Sequence, residues 1–396
     1  MNQSLSERAA RLQPSPTLAV TARAAELKAA GKDIIGLGAG EPDFDTPEHI
    51  KDAAIRAIKA GQTKYTAVEG TLSLRRAIVE KFKRDNGLSY EPKQILVSSG
   101  GKQSFFNLCQ AVINPGDEAV VPAPYWVSYP EIVAVAGGTP VIPYAGPEQH
   151  YKLTPVQLEK AITPRTRLVV INSPSNPTGM AYRRAELLAF GEVLRRHPRV
   201  LIATDDMYEP FTWHGEPFCN ILMVCPDLYE RTLVLNGASK AYAMTGWRIG
   251  YAGGPAAIIK AMGNMQSQST SNPSSISQAA AEAALNGDQE CVRVMCRAYQ
   301  ERHAFVHKTL KAMPGVGVLP ADGTFYAFPD FSQVLQTFKL KDDIELCEKL
   351  LVDAGVAVVA GSSFGAPGHL RLSFATSMEN LKEALARIHR WLEKAT

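Results

Sequence analysis

The segment 231–250, RTLVLNGASKAYAMTGWRIG, begins as a short apolar run and continues into a turn rich in small residues. Lys240 follows the end of this predicted strand, and Arg248 comes eight residues later. A lysine near apolar walls loses hydration, so its pKa falls and its neutral amine can attack a carbonyl. Arg248 carries the planar set of donors that suits a phosphate. The segment is compatible with a nucleophilic lysine beside a phosphate anchor, and equally with a lysine on a surface loop.

Similar apolar runs occur throughout residues 90–255 and alternate with helix-like segments. Among them are QILVSS, EAVVPAP, RLVVINSP and RVLIATDD. Near-continuous runs of valine, isoleucine and leucine separated by helices predict a mostly parallel sheet covered on both faces, which is an α/β fold. Ligands of such sheets bind beyond the carboxyl ends of the strands. The polar residues that end these runs are therefore the candidates for a functional site.

The chain of 396 residues is long enough to favour two domains. After about residue 290 the pattern changes to a long helical stretch, short strands and a final helix, which predicts a smaller α+β module. We expect residues 1–45 to form an N-terminal arm and part of this small domain. Residues 46–290 then form the large ligand-binding domain, and residues 291–396 the small C-terminal domain.

The composition excludes several classes of protein. Acidic and basic residues are interspersed along the sequence and the net charge is +3, so we expect no nucleic-acid partner. The sequence has neither a run of 18 apolar residues nor a signal-peptide pattern, so we expect no membrane partner and a cytoplasmic location. The six cysteines form no CxxC pair, which favours reduced thiols and no bound metal.

Two predicted strands end in polar residues whose side chains must find partners. The segment ATDDMY contains Asp205, Asp206 and Tyr208. A carboxylate at a buried sheet end costs free energy unless a cation pairs with it, and a protonated ring nitrogen would be such a cation. A helix N-cap or an acidic loop is the alternative. The segment HLRLSFA places Arg371 among apolar neighbours, where it must meet an anion such as a substrate carboxylate.

Three further segments suit a ligand of the same kind. The glycines of SSGGKQ, 98–103, precede a predicted helix whose free N–H groups would attract an anion, although a plain tight turn is equally compatible. The prolines and asparagines of NSPSNPTG, 172–179, indicate a rigid loop. Trp126 offers a flat ring for stacking, or belongs to the core. Together these residues suit pyridoxal phosphate and an amino-acid carboxylate, a combination that few other small molecules require.

The sequence resembles the class I aminotransferases of pyridoxal-phosphate fold type I. Among them it is most similar to the bacterial aspartate aminotransferases of the thermophilic and rhizobial subgroup. The matching segments, in order, are AGEPDFDTP, KYTAVEG, SGGKQ, PYWVSYPE, NSPSNPTG, GASKAYAMTGWRIG and RLSFA. The resemblance implies a mostly parallel seven-stranded sheet in the large pyridoxal-phosphate-binding domain, with the smaller α+β domain beside it.

The resemblance also implies the catalytic roles. Lys240 would form the Schiff base with the cofactor, and Asp205 would pair with the pyridine nitrogen. Tyr208 would donate a hydrogen bond to the ring oxygen. The other implied cofactor-binding residues are Gly101, Lys102, Trp126, Asn176, Ser239, Arg248 and, from the neighbouring subunit of a homodimer, Tyr65.

The substrate-binding residues implied by the resemblance are Gly40, Trp126, Asn176, Arg371, Lys102 and Thr17. Arg371 would hold the α-carboxylate. The segment 266–278 contains no arginine that could read a distal carboxylate, and in this subgroup Lys102 and the turn around Ser15 and Thr17 substitute for it. Gln13 stands where prephenate-using members carry a lysine, which argues against prephenate as a substrate.

The expected reaction is a ping-pong transfer of the amino group of L-aspartate to 2-oxoglutarate, giving oxaloacetate and L-glutamate. The same motifs would suit another donor (aromatic, methionine or alanine) or a related C–S lyase. A transcription regulator that reuses an aminotransferase body is the alternative outside enzymes. Such regulators carry an added N-terminal DNA-binding module, whereas here the aminotransferase pattern starts close to the first residues, so we expect the enzyme.

Overall fold

The computed structural model describes residues 6, 9–10, 12 and 16–394. The strands are β1 Ile35–Gly36, β2 Ile95–Ser98, β3 Glu118–Val120, β4 Thr139–Val141, β5 Thr166–Asn172, β6 Leu201–Asp205, β7 Thr232–Gly237, β8 Gly250–Gly253, β9 Tyr326–Ala327, β10 Val356–Ala357, β11 Val359–Ala360 and β12 Leu370–Ser373. The helices are α1 Pro16–Ala29, α2 Glu48–Lys59, α3 Leu72–Asn86, α4 Gly101–Val112, α5 Ser128–Val135, α6 Pro155–Ala161, α7 Arg184–Arg195, α8 Ile221–Val224, α9 Ala238–Ala241, α10 Ala256–Ser267, α11 Ser275–Asn286, α12 Glu290–Lys311, α13 Ser332–Thr337, α14 Asp343–Asp353 and α15 Met378–Glu393.

The centre of the fold is a seven-stranded sheet with the strand order β2-β8-β7-β6-β5-β3-β4. Strand β8 runs antiparallel to β2 and β7, and the other neighbouring pairs are parallel. Alternate residues of β5 face different cores: Leu168 belongs to one buried cluster and Val169 to another. Both faces are thus buried, as the near-continuous apolar runs require. The predicted α/β fold with a mostly parallel sheet is confirmed.

Local sequence signals set several helix ends. Helix α3 begins after Thr71, whose hydroxyl accepts a hydrogen bond from the Leu74 N–H. It ends at Asn86 and is followed by Gly87, which adopts the left-handed conformation with φ 65°. The final helix α15 begins after Ser377, whose side chain accepts from the Asn380 N–H. These caps satisfy backbone groups that have no partner inside the helix.

The strand register aligns polar residues along one edge of the sheet. Asn172 lies opposite Asp205 at the carboxyl ends of β5 and β6. At the neighbouring strands, Gly237 and Ser98 both lie opposite Gly250. The carboxyl ends of β2, β5, β6 and β7 therefore meet at the same edge, where ligands of such sheets bind.

The C-terminal part of the chain contains a three-stranded antiparallel sheet with the order β11-β12-β9. Strand β1, from the first part of the sequence, pairs in parallel with β10. The N-terminal segment that contains β1 therefore packs on the C-terminal part. The domain boundaries at 45/46 and 290/291 stay a prediction. Among the described residues, no helix is long and apolar enough to span a lipid bilayer.

Candidate active site

A cleft of about 410 Å³ opens at the carboxyl edge of the seven-stranded sheet. This volume lies within the range of small-molecule sites. The predicted site residues that line the cleft are Gly40, Gly101, Lys102, Trp126, Asn176, Asp205, Tyr208, Ser239, Lys240, Arg248 and Arg371. The fold therefore brings together residues that are distant in the sequence; Gly40 and Arg371 are more than 300 positions apart.

Lys240 lies in the short helix α9 that follows β7. Its amine donates a hydrogen bond to the backbone carbonyl of Gly40, and it lies 6.0 Å from the centre of the Phe325 ring. Burial lowers the pKa of Lys240 to about 8, with Glu41 acting in the opposite direction. At pH 7 roughly a tenth of this amine is then neutral, compared with less than about one part in a thousand for a lysine in water. The neutral amine is the form that attacks a carbonyl.

The lowered pKa of Lys240 has a measurable consequence. In the protein without ligand, we expect its rate of acylation by an amine-reactive reagent to reach half its maximum near pH 8. Below that pH the ammonium form predominates and the rate should fall. Peptide mapping after short exposures at several pH values gives the rate. The exposed lysines are the control, because a lysine in water titrates near pH 10.4; a common pH dependence would contradict the prediction.

The carboxylate of Asp205 is held by two donors. The hydroxyl of Tyr129 donates to Oδ2 over 2.6 Å, and the N–H of Met207 donates to Oδ1 over 3.2 Å. Burial raises the pKa of Asp205, while the hydrogen bond from Tyr129 lowers it. A cation placed against this carboxylate would offset the cost of its burial. A protonated ring nitrogen therefore fits this position.

An anion fits the opposite end of the cleft. Helix α4 begins at Gly101, so its first N–H groups have no partner within the helix. Gly100 has φ 89°, and a Cβ there would lie 2.1 Å from Nη2 of Arg248. A Cβ at Gly250 would lie 2.2 Å from the backbone nitrogen of Gly101. Glycine is required at these two positions to let the helix start and the guanidinium approach each other.

Arg371 is buried, in strand β12. Its Nη1 donates to Oδ1 of Asn176 over 2.9 Å, and its Nη2 donates to the carbonyl of Gly38 over 2.8 Å. Its Nε is buried with no hydrogen-bond partner among the described residues. Neutral oxygens leave the positive charge uncompensated, so a ligand carboxylate is the partner that this group lacks.

Lys102 is a second cation in the cleft. Its ammonium lies 5.3 Å from the centre of the Trp126 ring. Within the described part of the chain, it has no hydrogen-bond acceptor and no carboxylate partner. Burial, followed by the charge of Arg248, lowers the pKa of Lys102. A ligand anion near Trp126 would therefore stabilise its charged form.

Four predicted positions lie outside this cleft or outside the described residues. Tyr65 is 92% exposed and does not line the cleft of its own chain. Thr17 is part of helix α1, but its side chain is not described. Gln13 and Ser15 fall outside the described residues. The roles predicted for these residues stay predictions.

Sequence reasoning missed several residues that line the cleft: Ala39, Glu41, Tyr129, Asn172, Met207, Thr245 and Tyr326. Proximity in the sequence could have suggested Tyr129, because it lies three residues after Trp126, across the start of α5, and the two rings are 5.1 Å apart. Asp206 points away into a buried network, where Thr204 and Asn220 donate to its carboxylate. Burial raises the pKa of Asp206 to about 7. In residues 16–394, no group of three or more histidine, cysteine, aspartate or glutamate side chains is arranged to hold a metal.

The chain is similar in sequence to known aminotransferases along almost its whole length. The family described as aminotransferase class I and II matches residues 32–388. An aspartate/prephenate aminotransferase of Nitrosomonas europaea is 62% identical over 390 residues, which cover 97% of this chain and 98% of that protein. An aspartate aminotransferase of Geobacillus stearothermophilus is 50% identical over 389 residues, covering 98% and 99% of the two chains.

Solved structures show the same fold. The aspartate aminotransferase of Rhizobium meliloti superposes with a TM-score of 0.94 at 48% identity and covers 99% of each chain. That of Thermus thermophilus with maleate gives a TM-score of 0.92 at 46% identity, covering 98% of this chain and 99% of the other. The resemblance inferred from the sequence motifs is thereby confirmed. With its family match over residues 32–388 and relatives of this identity, the chain belongs to the class I and II aminotransferases.

Proposed function

We propose that the protein is a pyridoxal-phosphate-dependent aminotransferase that moves the amino group of L-aspartate to 2-oxoglutarate, giving oxaloacetate and L-glutamate. One observation carries this proposal. A single cleft holds the desolvated amine of Lys240, the buried carboxylate of Asp205 and two cations without carboxylate partners, Arg371 and Lys102. An amine, a carboxylate and two cations are what a phosphorylated aldehyde and a dicarboxylic amino acid require.

The residues of the cleft fit pyridoxal phosphate. The N-terminus of α4, Arg248 and Ser239 would hold its phosphate. Because Gly100 and Gly250 have no side chains, the first N–H groups of α4 and the guanidinium of Arg248 lie close together. Asp205 would pair with its ring nitrogen, and Trp126 would cover a ring face. When bound, this cofactor supplies an electron sink for the negative charge that develops on the substrate Cα.

The side chains of this protein would then perform the proton transfers and the binding. Lys240 would hold the cofactor covalently and, once displaced by the substrate amine, would take the proton from Cα and return it as general base and acid. Its lowered pKa suits both tasks near neutral pH. Tyr208 would donate a hydrogen bond to the ring oxygen. Arg371 and Asn176 would hold the α-carboxylate.

The dicarboxylic specificity rests on Lys102. Its ammonium has no carboxylate partner among residues 16–394 and lies in the same cleft as Arg371. The relatives from Geobacillus stearothermophilus and Rhizobium meliloti carry aspartate in their names, and the Thermus thermophilus structure contains maleate, which is a dicarboxylate. We propose that Lys102 reads the distal carboxylate, with Thr17 and Ser15 as further contacts.

Lys102→Ala should therefore separate substrates by their second carboxylate. We expect kcat/KM for aspartate to fall about 10- to 150-fold, because one charge-assisted contact is worth roughly 1.5–3 kcal/mol. Alanine and phenylalanine lack that carboxylate, so their kcat/KM should change little. Initial rates with the three donors measure the difference. The Lys102 backbone N–H survives the substitution, so phosphate binding by the backbone is retained. An equal fall for all donors would show that Lys102 supports the cofactor or the fold instead.

The reaction itself is tested by a matrix of amino donors against oxo-acid acceptors. We expect aspartate with 2-oxoglutarate to give the highest kcat/KM of the pairs. A preference for aromatic, methionine or alanine donors, or release of a thiol from a cysteine-type substrate, would favour the alternative activities. Prephenate belongs in the acceptor set, because the Nitrosomonas europaea relative carries prephenate in its name. Gln13 predicts that prephenate is a poor acceptor here.

We propose that the active unit is a homodimer in which Tyr65 contacts the phosphate in the neighbouring subunit. The support is the match of the segment KYTAVEG to the family, together with the 92% exposure of Tyr65, which leaves its side chain free to contact a second subunit. The six cysteines are free thiols, which supports a reducing compartment such as the cytoplasm.

Mixed dimers test the shared site. Tyr65→Phe should weaken cofactor retention in every site of its own homodimer. If Tyr65 acts across the interface, a hybrid of Tyr65→Phe with Lys240→Ala has one site in which both residues are native. At a limiting cofactor concentration, we expect that site to be more active than a site of either parent homodimer. Differently tagged subunits allow purification of the hybrid. No recovered activity in purified hybrids would contradict a shared site.

A further inference from the structure

One buried side chain contacts two of the proposed functional groups at once. Tyr326 lies in strand β9 and is fully buried. Its hydroxyl oxygen is 2.9 Å from the hydroxyl oxygen of Tyr208, which lies 118 positions away in the sequence. The centre of its ring is 4.4 Å from Cζ of Arg371. The hydroxyl and the ring of Tyr326 thus have separate partners.

Counting protons assigns a direction to the hydroxyl contact. A phenol has one proton to donate and can also accept. Among the described residues, Tyr208 is the sole hydrogen-bond partner of the Tyr326 hydroxyl. Either hydroxyl can be the donor in the protein without ligand. When Tyr208 gives its proton to the ring oxygen, as proposed above, Tyr326 is the donor in the contact between the two hydroxyls. The proton of Tyr208 is then left for an acceptor in the cleft.

The ring of Tyr326 supports the guanidinium of Arg371. The hydrogen bonds of Arg371 go to the neutral oxygens of Asn176 and Gly38, and neither supplies negative charge. The rings of Tyr326 and Phe364 lie 4.4 and 4.9 Å from its Cζ. A desolvated cation gains from the negative face of an aromatic ring. The two rings therefore compensate part of the charge and hold the guanidinium in place.

We propose that Tyr326 is a positioning residue with two separable tasks: its hydroxyl orients the proton of Tyr208 toward the cofactor, and its ring holds Arg371 for the substrate carboxylate. The proposal rests on the proposed function. It follows that removing the hydroxyl changes the cofactor environment alone, whereas removing the whole ring also weakens carboxylate binding.

Two substitutions in the holoenzyme separate these tasks. Tyr326→Phe keeps the ring, and Tyr326→Leu removes both parts. The first measurement is the pKa of the bound cofactor, taken from its absorbance against pH. The second is the dissociation constant of maleate, a dicarboxylate without an amino group, taken from the change in that absorbance. Neither measurement requires turnover. Tyr208→Phe is the reference for complete loss of the donated proton.

We expect Tyr326→Phe to raise the cofactor pKa by about 0.5 to 1 unit, as one neutral hydrogen bond would. The reason is competition for one oxygen. The group that titrates is the nitrogen that links Lys240 to the cofactor, and its proton is shared with the ring oxygen. When the hydrogen bond from Tyr208 to that oxygen weakens, the oxygen holds the shared proton more tightly and the pKa rises. Tyr208→Phe should shift the pKa in the same direction and further. Maleate binding to Tyr326→Phe should stay within about twofold of wild type, because the ring contact is retained.

We expect Tyr326→Leu to show the same pKa shift and to weaken maleate binding about 5- to 30-fold, the usual range for a desolvated cation–ring contact. Phe331→Leu removes another fully buried ring of the C-terminal part and should change neither quantity, which controls for general loosening. If the leucine variant fails to fold, Tyr326→Met also removes the ring.

An unchanged cofactor pKa in Tyr326→Phe would overturn the hydroxyl assignment. Equal maleate affinity in the phenylalanine and leucine variants would overturn the ring assignment. A wild-type protein without a pH-dependent cofactor band would instead overturn the proposed function, and this proposal with it. A wild-type protein that has the band but does not bind maleate would overturn the dicarboxylate specificity and the ring assignment together.

Discussion

Lys240→Ala is expected to lose transamination by about 10²- to 10⁴-fold from the missing acid–base group alone. The covalent attachment of the cofactor is lost as well, so the combined effect should be larger. Among the described residues that line the cleft, no second lysine takes the same position. The amine of Lys240 occupies the cleft next to Gly40, and the other lysine lining this cleft, Lys102, lies over Trp126. Steady-state rates with saturating aspartate and 2-oxoglutarate measure the loss.

Two further variants and one chemical test make this prediction specific. Lys240→Arg keeps a positive charge but cannot act as a nucleophile or base, so it should be as inactive as the alanine variant. Lys260→Ala changes an exposed lysine of α10 and should leave the rate unchanged. Borohydride reduction of the wild-type protein should fix the cofactor on the peptide that contains Lys240. A label on another lysine, or activity of Lys240→Ala within tenfold of wild type, would sink the assignment.

Arg371→Ala should lower kcat/KM for every amino donor by a similar factor. Every donor has an α-carboxylate, and removing one partner of a buried, hydrogen-bonded charge pair costs about 2–5 kcal/mol, or roughly 30- to 5000-fold. Its full burial and the planar contacts to Asn176 and Gly38 place this site near the upper end of that range. Initial rates with aspartate, alanine and phenylalanine measure the uniformity of the loss.

Arg371→Lys is the matched variant for this test. It keeps the positive charge but loses the planar pair of donors, so its kcat/KM should lie between those of wild type and alanine. Cofactor retention should be unchanged in both variants, because the phosphate is proposed to be held by Arg248, Ser239 and the start of α4 and not by Arg371. A loss confined to aspartate would show that Arg371 reads the distal carboxylate, and the roles of Arg371 and Lys102 would then have to be exchanged.

Much of the fold could be predicted from the sequence because its signals are local. The run Leu168–Val169–Val170–Ile171 is apolar at every position, and a strand of that kind is stable only with both faces covered. Parallel strands place their carboxyl ends at one edge, so the polar residues after those runs had to converge there. That argument is sufficient to place Asp205, Lys240 and Gly101 in one site.

The contacts among those residues depend on the tertiary structure. Tyr129 reaches Asp205 across 76 positions, and Tyr326 reaches Tyr208 across 118. No periodicity in the sequence encodes such pairs, because they arise from strand register and from the packing of the C-terminal part onto the sheet. Neither Tyr129 nor Tyr326 was predicted from the sequence to take part in the site.

The sequence by itself thus determined the α/β class, the strand ends and the types of group that meet there. The tertiary structure decided which groups touch, how far each is desolvated and which cations lack a partner. Lys240 illustrates the difference. Its position after a strand is a property of the sequence, but its pKa of about 8 arises from burial among Gly40, Phe325 and the neighbouring cations. Desolvation and charge–charge energies depend on distances in space, and residues far apart in the chain set those distances.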